Sequence, residues 1–437
     1  MDLLKDNIRT LYWKFLLPAI GGALVVAAYN FIDTIAIGQG VGPNGTAACA
    51  VIMPILCLAE FIGLLCGIGG SVLMSQARGS GNHEKGNAYF TASLAAAAVL
   101  SALAWVGLLV FQNPVYRLFG ADDTLLPYAR EYGNIVILAL PSFVFATFSA
   151  LFVRNDEAPN LVMTASLVGA AVNIFGDWLL VFPLNMGMTG AALATVIGSL
   201  TQSVIMGSYL FGKKSSLAFV KPYRVVVAVK NILVNGFGAG FAQLAVIIVS
   251  FVANNQIMKY AGGAALAVYG MIGTTTTLFT CIYSGTGQAA QPIASSNYGA
   301  GNRERYWGVY RMGMNVSLVL GVVFAALCLL FPTQMTMLFM DATPEVLEIA
   351  PGILRIYAIC FLPLAVNTFL STYLQSIMQP MAATWIAMLR GLVLNSLLLY
   401  VLPLIWGADG IWIAFVAAEC IVVVIALVWT AKIRKAG

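Results

Sequence analysis

The chain has 437 residues, of which 60% are hydrophobic and 9% charged, with a mean hydropathy of +0.90 and a formal net charge of +5. Such a composition excludes an ordinary soluble domain. It also excludes a nucleic-acid partner, because no soluble stretch is long enough to carry a basic surface.

Apolar stretches of twenty or more residues follow one another with short breaks, the pattern of a polytopic helical membrane protein. Twelve spans are predicted, at 14–38, 46–75, 87–111, 127–153, 160–182, 188–212, 230–258, 264–294, 306–331, 346–374, 382–403 and 409–431. The first runs on without a small-residue processing site, so no cleavable signal peptide is expected. It carries Pro18, Tyr29, Asn30 and Asp33, and Glu60 lies near the middle of the second. Span five carries Asn173 and Asp177, span six Thr195, span eleven Arg390 and span twelve Glu419. The prolines at 18, 54, 141, 292 and 363 each remove a backbone hydrogen bond and permit a kink.

The seven cysteines lie in apolar runs without CxxC or Cys/His spacing, so neither a disulfide framework nor a zinc site is supported. His83, the sole histidine, falls in the charged loop RGSGNHEKG and is expected to be solvated. No nucleophile–base constellation is present, which argues against an enzyme and for a protein without a cofactor.

The chain is written twice at an offset of 220 residues. Gly79, Gly81 and Asn82 recur as Gly299, Gly301 and Asn302; Pro183, Gly187, Gly190 and Ala194 recur as Pro403, Gly407, Gly410 and Ala414. An offset without slippage indicates duplication of a six-span module. Six is even, so both copies enter the membrane in the same direction and are expected to be related by a pseudo-twofold along its normal, leaving a cleft between two bundles. The predicted division is an N-terminal lobe at 1–212, a linker at 213–229 within the charged connector, and a C-terminal lobe at 230–437. QARGSGN and SNYGAGN close spans two and eight and lack a P-loop pattern, so they read as tight turns. Seventeen of the 22 Lys and Arg fall on the side shared by both termini and four on the other, which predicts cytoplasmic termini.

The repeat breaks where it matters chemically: Asp177 corresponds to Leu397, and Asn173 to Val393. A charge within a bilayer is costly, so intramembrane acids are functional candidates. Asp33, Asp177 and Thr195 each lie roughly 8–10 Å below the outer boundary at 1.5 Å per residue. Tyr29 and Asp33, like Asn173 and Asp177, are four residues apart and share a helix face. Two neighbouring acids in low dielectric cannot both ionise freely, so the group can hold a proton. The oxygens of Asp33, Asn173, Asp177 and Thr195 can also hold Na⁺. Arg390 and Glu419 lie in adjacent spans, with depths that differ by roughly one to two helical turns, which their long side chains can bridge. They are expected to form a structural ion pair rather than a second coupling site.

The segments PAIGGALVVAAYNFIDTIAIGQGVGPNGTAA (18–48), QARGSGN with its repeat YGAGN, and AAVNIFGDWLLVFPLNMGMTGAALATVIG (170–198) resemble the multidrug and toxic compound extrusion (MATE) family, over essentially the whole chain. The resemblance is closest to the prokaryotic branch with coupling acids in the N-terminal lobe. It implies antiport in a bacterial cell membrane: a small organic, often cationic, compound leaves as H⁺ or Na⁺ enters, through a protein expected to work as a monomer. It also implies that Asp33 is the essential acid of span one, that Asn173, Asp177 and Thr195 are its partners, and that Tyr29 is the tyrosine one turn before it. Pro18 would then be the hinge of span one. Two other transport readings fit less well. A lipid-linked-precursor flippase of the wider superfamily needs a cationic cleft, and the loop after span two lacks the major-facilitator pattern. A non-catalytic scaffold needs no matched acids.

Overall fold

Without water in the hydrocarbon, every backbone N–H and C=O must be satisfied within the segment, so each apolar run closes on itself as a helix. The computed structural model describes residues 2–121, 123–210, 212, 215–221, 224–339 and 344–436. Ten of its helices are each long and apolar enough to cross a bilayer. They are α1 (Ile8–Gly40), α2 (Pro43–Gly79), α3 (His83–Leu118), α6 (Pro159–Val181), α7 (Gly187–Leu210), α8 (Val225–Tyr260), α9 (Gly262–Gly299), α10 (Arg303–Leu330), a composite at 380–401 and α16 (Pro403–Ala436). Two bent pairs bring the number to twelve. In one, α4 (Leu126–Leu138) and α5 (Leu140–Asn155) meet at 52°; in the other, α12 (Pro344–Ala358) and α13 (Phe361–Ser376) meet at 43°. A short α11 (Pro332–Phe339) joins α10 to α12. The composite comprises α14 (Pro380–Met388), a π-turn at Leu389–Val393 and α15 (Leu394–Val401). The all-helical, twelve-span reading of the sequence is thus the fold.

Proline and glycine mark the ends. Pro43, Pro159 and Pro380 stand in the first turns of their helices, where the missing N–H has no partner to lose. The two bends fall at Ala139, next to Pro141, and at 359–360, ahead of Pro363. Pro18, Pro54 and Pro292 stay inside continuous helices. The expected glycine turns are present in both copies. Gly81 and Gly301 take φ of 82° and 73°, and the Asn82 and Asn302 amides donate to Ala77 O and Asn297 O, each at 2.9 Å.

Contacts divide the chain into two compact units. The first comprises Met1–Asp6, Leu17–Leu244 and Ser295–Asn302; the second comprises Asn7–Leu16, Ala245–Ala294 and Arg303–Gly437. The divisions run through α1, α8 and α9 rather than at the connector. Glycines explain why the start of α8 and the end of α9 belong to the first unit. A Cβ on Gly236 of α8 would stand 1.8 Å from Leu65 O of α2, and one on Gly69 would stand 2.0 Å from Ile232 O. Gly79 lies equally close to Ser296 O, and Gly299 to Gln76 O. Only residues without a side chain allow backbones to approach so closely.

The first unit packs Phe90, Phe148 and Phe152 into one aromatic cluster, with Phe148 and Phe152 centroids 4.7 Å apart. The connector is clamped onto it. Asp156 forms a 2.6 Å ion pair with Arg78 and accepts from Tyr209 OH at 2.9 Å, from the Ser216 amide at 3.0 Å and from the Ser216 hydroxyl. In the second unit, Phe279 stacks on Phe324 at 4.0 Å, and Tyr12 of α1 donates to Thr286 O at 3.0 Å.

Candidate functional site

The predicted acids come together in the first unit. The α6–α7 hairpin is pinned by small residues: a Cβ on Gly198 would lie 2.9 Å from the Asn173 Cβ, and one on Gly176 would lie 2.9 Å from the Ala194 Cβ. That closeness brings Thr195 beside the Asn173–Asp177 face. Asn173 and Asp177 are buried, at 2% and 1% exposure, whereas Asp33 is half-buried.

The Thr195 hydroxyl donates either to Asp33 Oδ1 at 3.4 Å or, one turn back, to Ala191 O at 3.1 Å. Asp33 and Asp177 lie within interaction range of each other. Among the described residues, however, neither carboxylate oxygen of Asp177 and neither polar atom of the Asn173 amide has a partner at normal hydrogen-bond geometry. Buried polar groups are usually satisfied, and an orphan costs about 1–3 kcal/mol. Four such atoms on one face of α6 constitute an unfilled set of hard oxygen ligands and a donor. The oxygens of Asp33, Asn173, Asp177 and Thr195 suit a proton or Na⁺ as regards donor chemistry.

Tyr29 lies within electrostatic reach of both Asp33 and Glu60. Pro18 is buried inside α1 and stands beside the unit division at Leu16/Leu17. The Asn30 side chain lies outside the described residues. Tyr132 of α4 was not anticipated: its hydroxyl is 3.5 Å from the Thr195 hydroxyl. It stands six residues after Leu126 at the start of α4, so the depth argument that grouped the others also reaches it.

Arg390 and Glu419 are not part of this group. In the second unit, Arg390 Nε meets Glu419 Oε1 at 2.6 Å, and Arg390 Nη1 donates to Thr368 at 3.1 Å. Asn367 donates to Glu419 Oε2 at 2.7 Å. The π-turn that holds Arg390 is tied by Asn395 donating to Arg390 O at 2.6 Å. A buried charge pair completed by neutral donors in this way is self-sufficient.

The sequence pattern of the MatE family matches residues 18–179 and 239–401. The chain is 23% identical over 435 residues to the multidrug export protein MepA of Staphylococcus haemolyticus, an alignment covering 99% of this chain and 95% of that protein. It is 26% identical over 352 residues to the probable multidrug resistance protein YoeA of Bacillus subtilis, covering 78% and 75%. In structure it is similar to an outward-facing multidrug resistance MATE family transporter of the MOP superfamily. The TM-score is 0.93, with 21% identity and coverage of 99% and 97%. A MATE structure in the bent conformation superposes with a TM-score of 0.91 at 21% identity, covering 99% and 97%. The likeness to these structures establishes the fold, and the pattern match establishes the family: this chain belongs to the MatE family of membrane transporters and is not an enzyme.

Proposed function

We propose that the protein is a multidrug efflux antiporter that expels small organic cations from a bacterial cell, as a monomer with cytoplasmic termini, in exchange for H⁺ or Na⁺. The observation that carries this reading is the orphaned oxygen set of Asn173 and Asp177 facing Asp33. A site so placed binds a small cation that arrives and leaves, because no side chain among the described residues satisfies it at normal hydrogen-bond geometry. Asp33 and Asp177 accept the coupling cation, with Asn173, Thr195 and Tyr132 orienting them. Taking up the cation removes negative charge that attracts an organic cation, so each ligand lowers affinity for the other by the same factor. Pro18 lets α1 bend as the acids change charge. Its position where α1 passes from one compact unit to the other supports this role.

The relatives named above, a multidrug export protein and a probable multidrug resistance protein, support outward transport of small organic compounds. A lipid-linked-precursor flippase fits less well, since the arginine within the spans, Arg390, is already neutralised by Glu419. The test is efflux of ethidium from proteoliposomes under an imposed proton gradient or an imposed sodium gradient, applied separately. Wild type should respond to one gradient and Asp33→Asn to neither; ethidium efflux by Asp33→Asn at the wild-type rate overturns the mechanism.

A further inference from the structure

Glu60 is a third acid of the first unit, and its setting differs from that of Asp33 and Asp177. It lies roughly 25 Å along the roughly 55 Å length of α2, at mid-membrane depth. Its side chain is exposed, and the Gln243 side chain of α8 stands within hydrogen-bonding reach of its carboxylate. A carboxylate facing acyl chains at that depth is strongly disfavoured, so the exposure is to water inside the protein. Among the described acids it is the one that is both exposed and in the middle of a span. Asp177 is enclosed and Glu419 is held by Arg390.

No lysine or arginine among the described residues forms a salt bridge with Glu60; the neighbour at its carboxylate is the neutral Gln243 side chain of α8. Tyr29 of α1 lies within electrostatic reach of Glu60 and of Asp33. An accessible carboxylate without a fixed counter-cation, beside an aromatic ring and an amide, has the chemistry of a seat for an organic monocation.

We infer that Glu60 is the counter-charge for the organic cation, flanked by Tyr29 and Gln243, while Asp33 and Asp177 handle the coupling ion. This assignment rests on the antiport reading above and divides its labour. The position closed off at Asp177 admits only a proton or a bare metal cation, whereas the open acid admits a bulky one. Tyr29 senses both charges, so occupation of either position is felt at the other.

The test is binding of tetraphenylphosphonium, and of its uncharged relative triphenylphosphine, to the full chain in lipid nanodiscs. Glu60→Gln is expected to weaken tetraphenylphosphonium at least tenfold and leave triphenylphosphine within twofold. Glu60→Asp, which keeps the charge, should recover part of the loss and serves as the folded control. Asp33→Asn should lose the response of tetraphenylphosphonium affinity to pH or Na⁺, because the group that takes up the coupling cation is gone. Wild-type tetraphenylphosphonium affinity in Glu60→Gln, or an equal loss for both compounds, overturns the assignment. Absence of tetraphenylphosphonium binding to the wild-type protein overturns the antiport reading instead.

Discussion

At Asp177 the chain accepts a local instability. A carboxylate at 1% exposure, with neither oxygen hydrogen-bonded among the described residues, would be better replaced, for stability alone, by a neutral group of the same shape. Asp177→Asn is therefore expected to leave the melting temperature in detergent unchanged or higher while lowering gradient-driven ethidium efflux by about tenfold or more. Efflux at the wild-type rate, or a drop of several degrees in melting temperature, would contradict this account. Asp33, Asn173, Asp177 and Thr195 were legible as one group because helix rise converts sequence position into depth, and depth is shared by every span. Tyr132 obeys the same arithmetic but carries no charge to draw notice, and tyrosine occurs 17 times in the chain. Glu60 was legible as an intramembrane acid but its direction was not, since one acid on one helix has no periodic partner to fix a face.

Helices were predicted closely, because an apolar run in lipid has no other way to satisfy its backbone. Their bends were not. Pro18, Pro54, Pro141, Pro292 and Pro363 look alike in sequence, yet only Pro141 and Pro363 stand beside a break. Whether a freed carbonyl opens the helix depends on what packs against both halves, which one segment does not reveal. The π-turn at Leu389–Val393 was likewise hidden. Helix crossings, by contrast, are written in glycine. Gly236→Val places a side chain where Leu65 O stands 1.8 Å from the Cβ position, and no rotamer relieves a clash with backbone. Thermal unfolding of that variant should show a loss of several degrees or failure to accumulate in the membrane. Wild-type stability would mean that α2 and α8 are further apart than described.

For the whole molecule, successive apolar runs gave the twelve spans, and duplication gave the matched turns and the expectation of a common direction for both copies. The lobe boundary is drawn differently by contacts, because α1, α8 and α9 each contribute to both units. No local composition marks such sharing. The charge bias of seventeen against four predicts cytoplasmic termini. With the seven native cysteines replaced, a cysteine at Ser80 should be protected in intact cells from a membrane-impermeant maleimide, and one at Asn185 should react. The reverse pattern would place the termini outside.

The glycine contacts at 76–79 and 296–299 carry a consequence for how such a chain arose. Gly79 lies on Ser296 and Gly299 lies on Gln76, and the 220-residue offset exchanges the two contacts. That is the geometry of an isologous interface, in which one patch meets its own copy. A six-helix ancestor carrying this patch would have met itself as a parallel pair, and any change at the glycine would have struck both contacts at once. Fusion released that constraint. Each position can then vary by itself, and the two copies can carry different residues at matched positions, as Asp177 and Leu397 do.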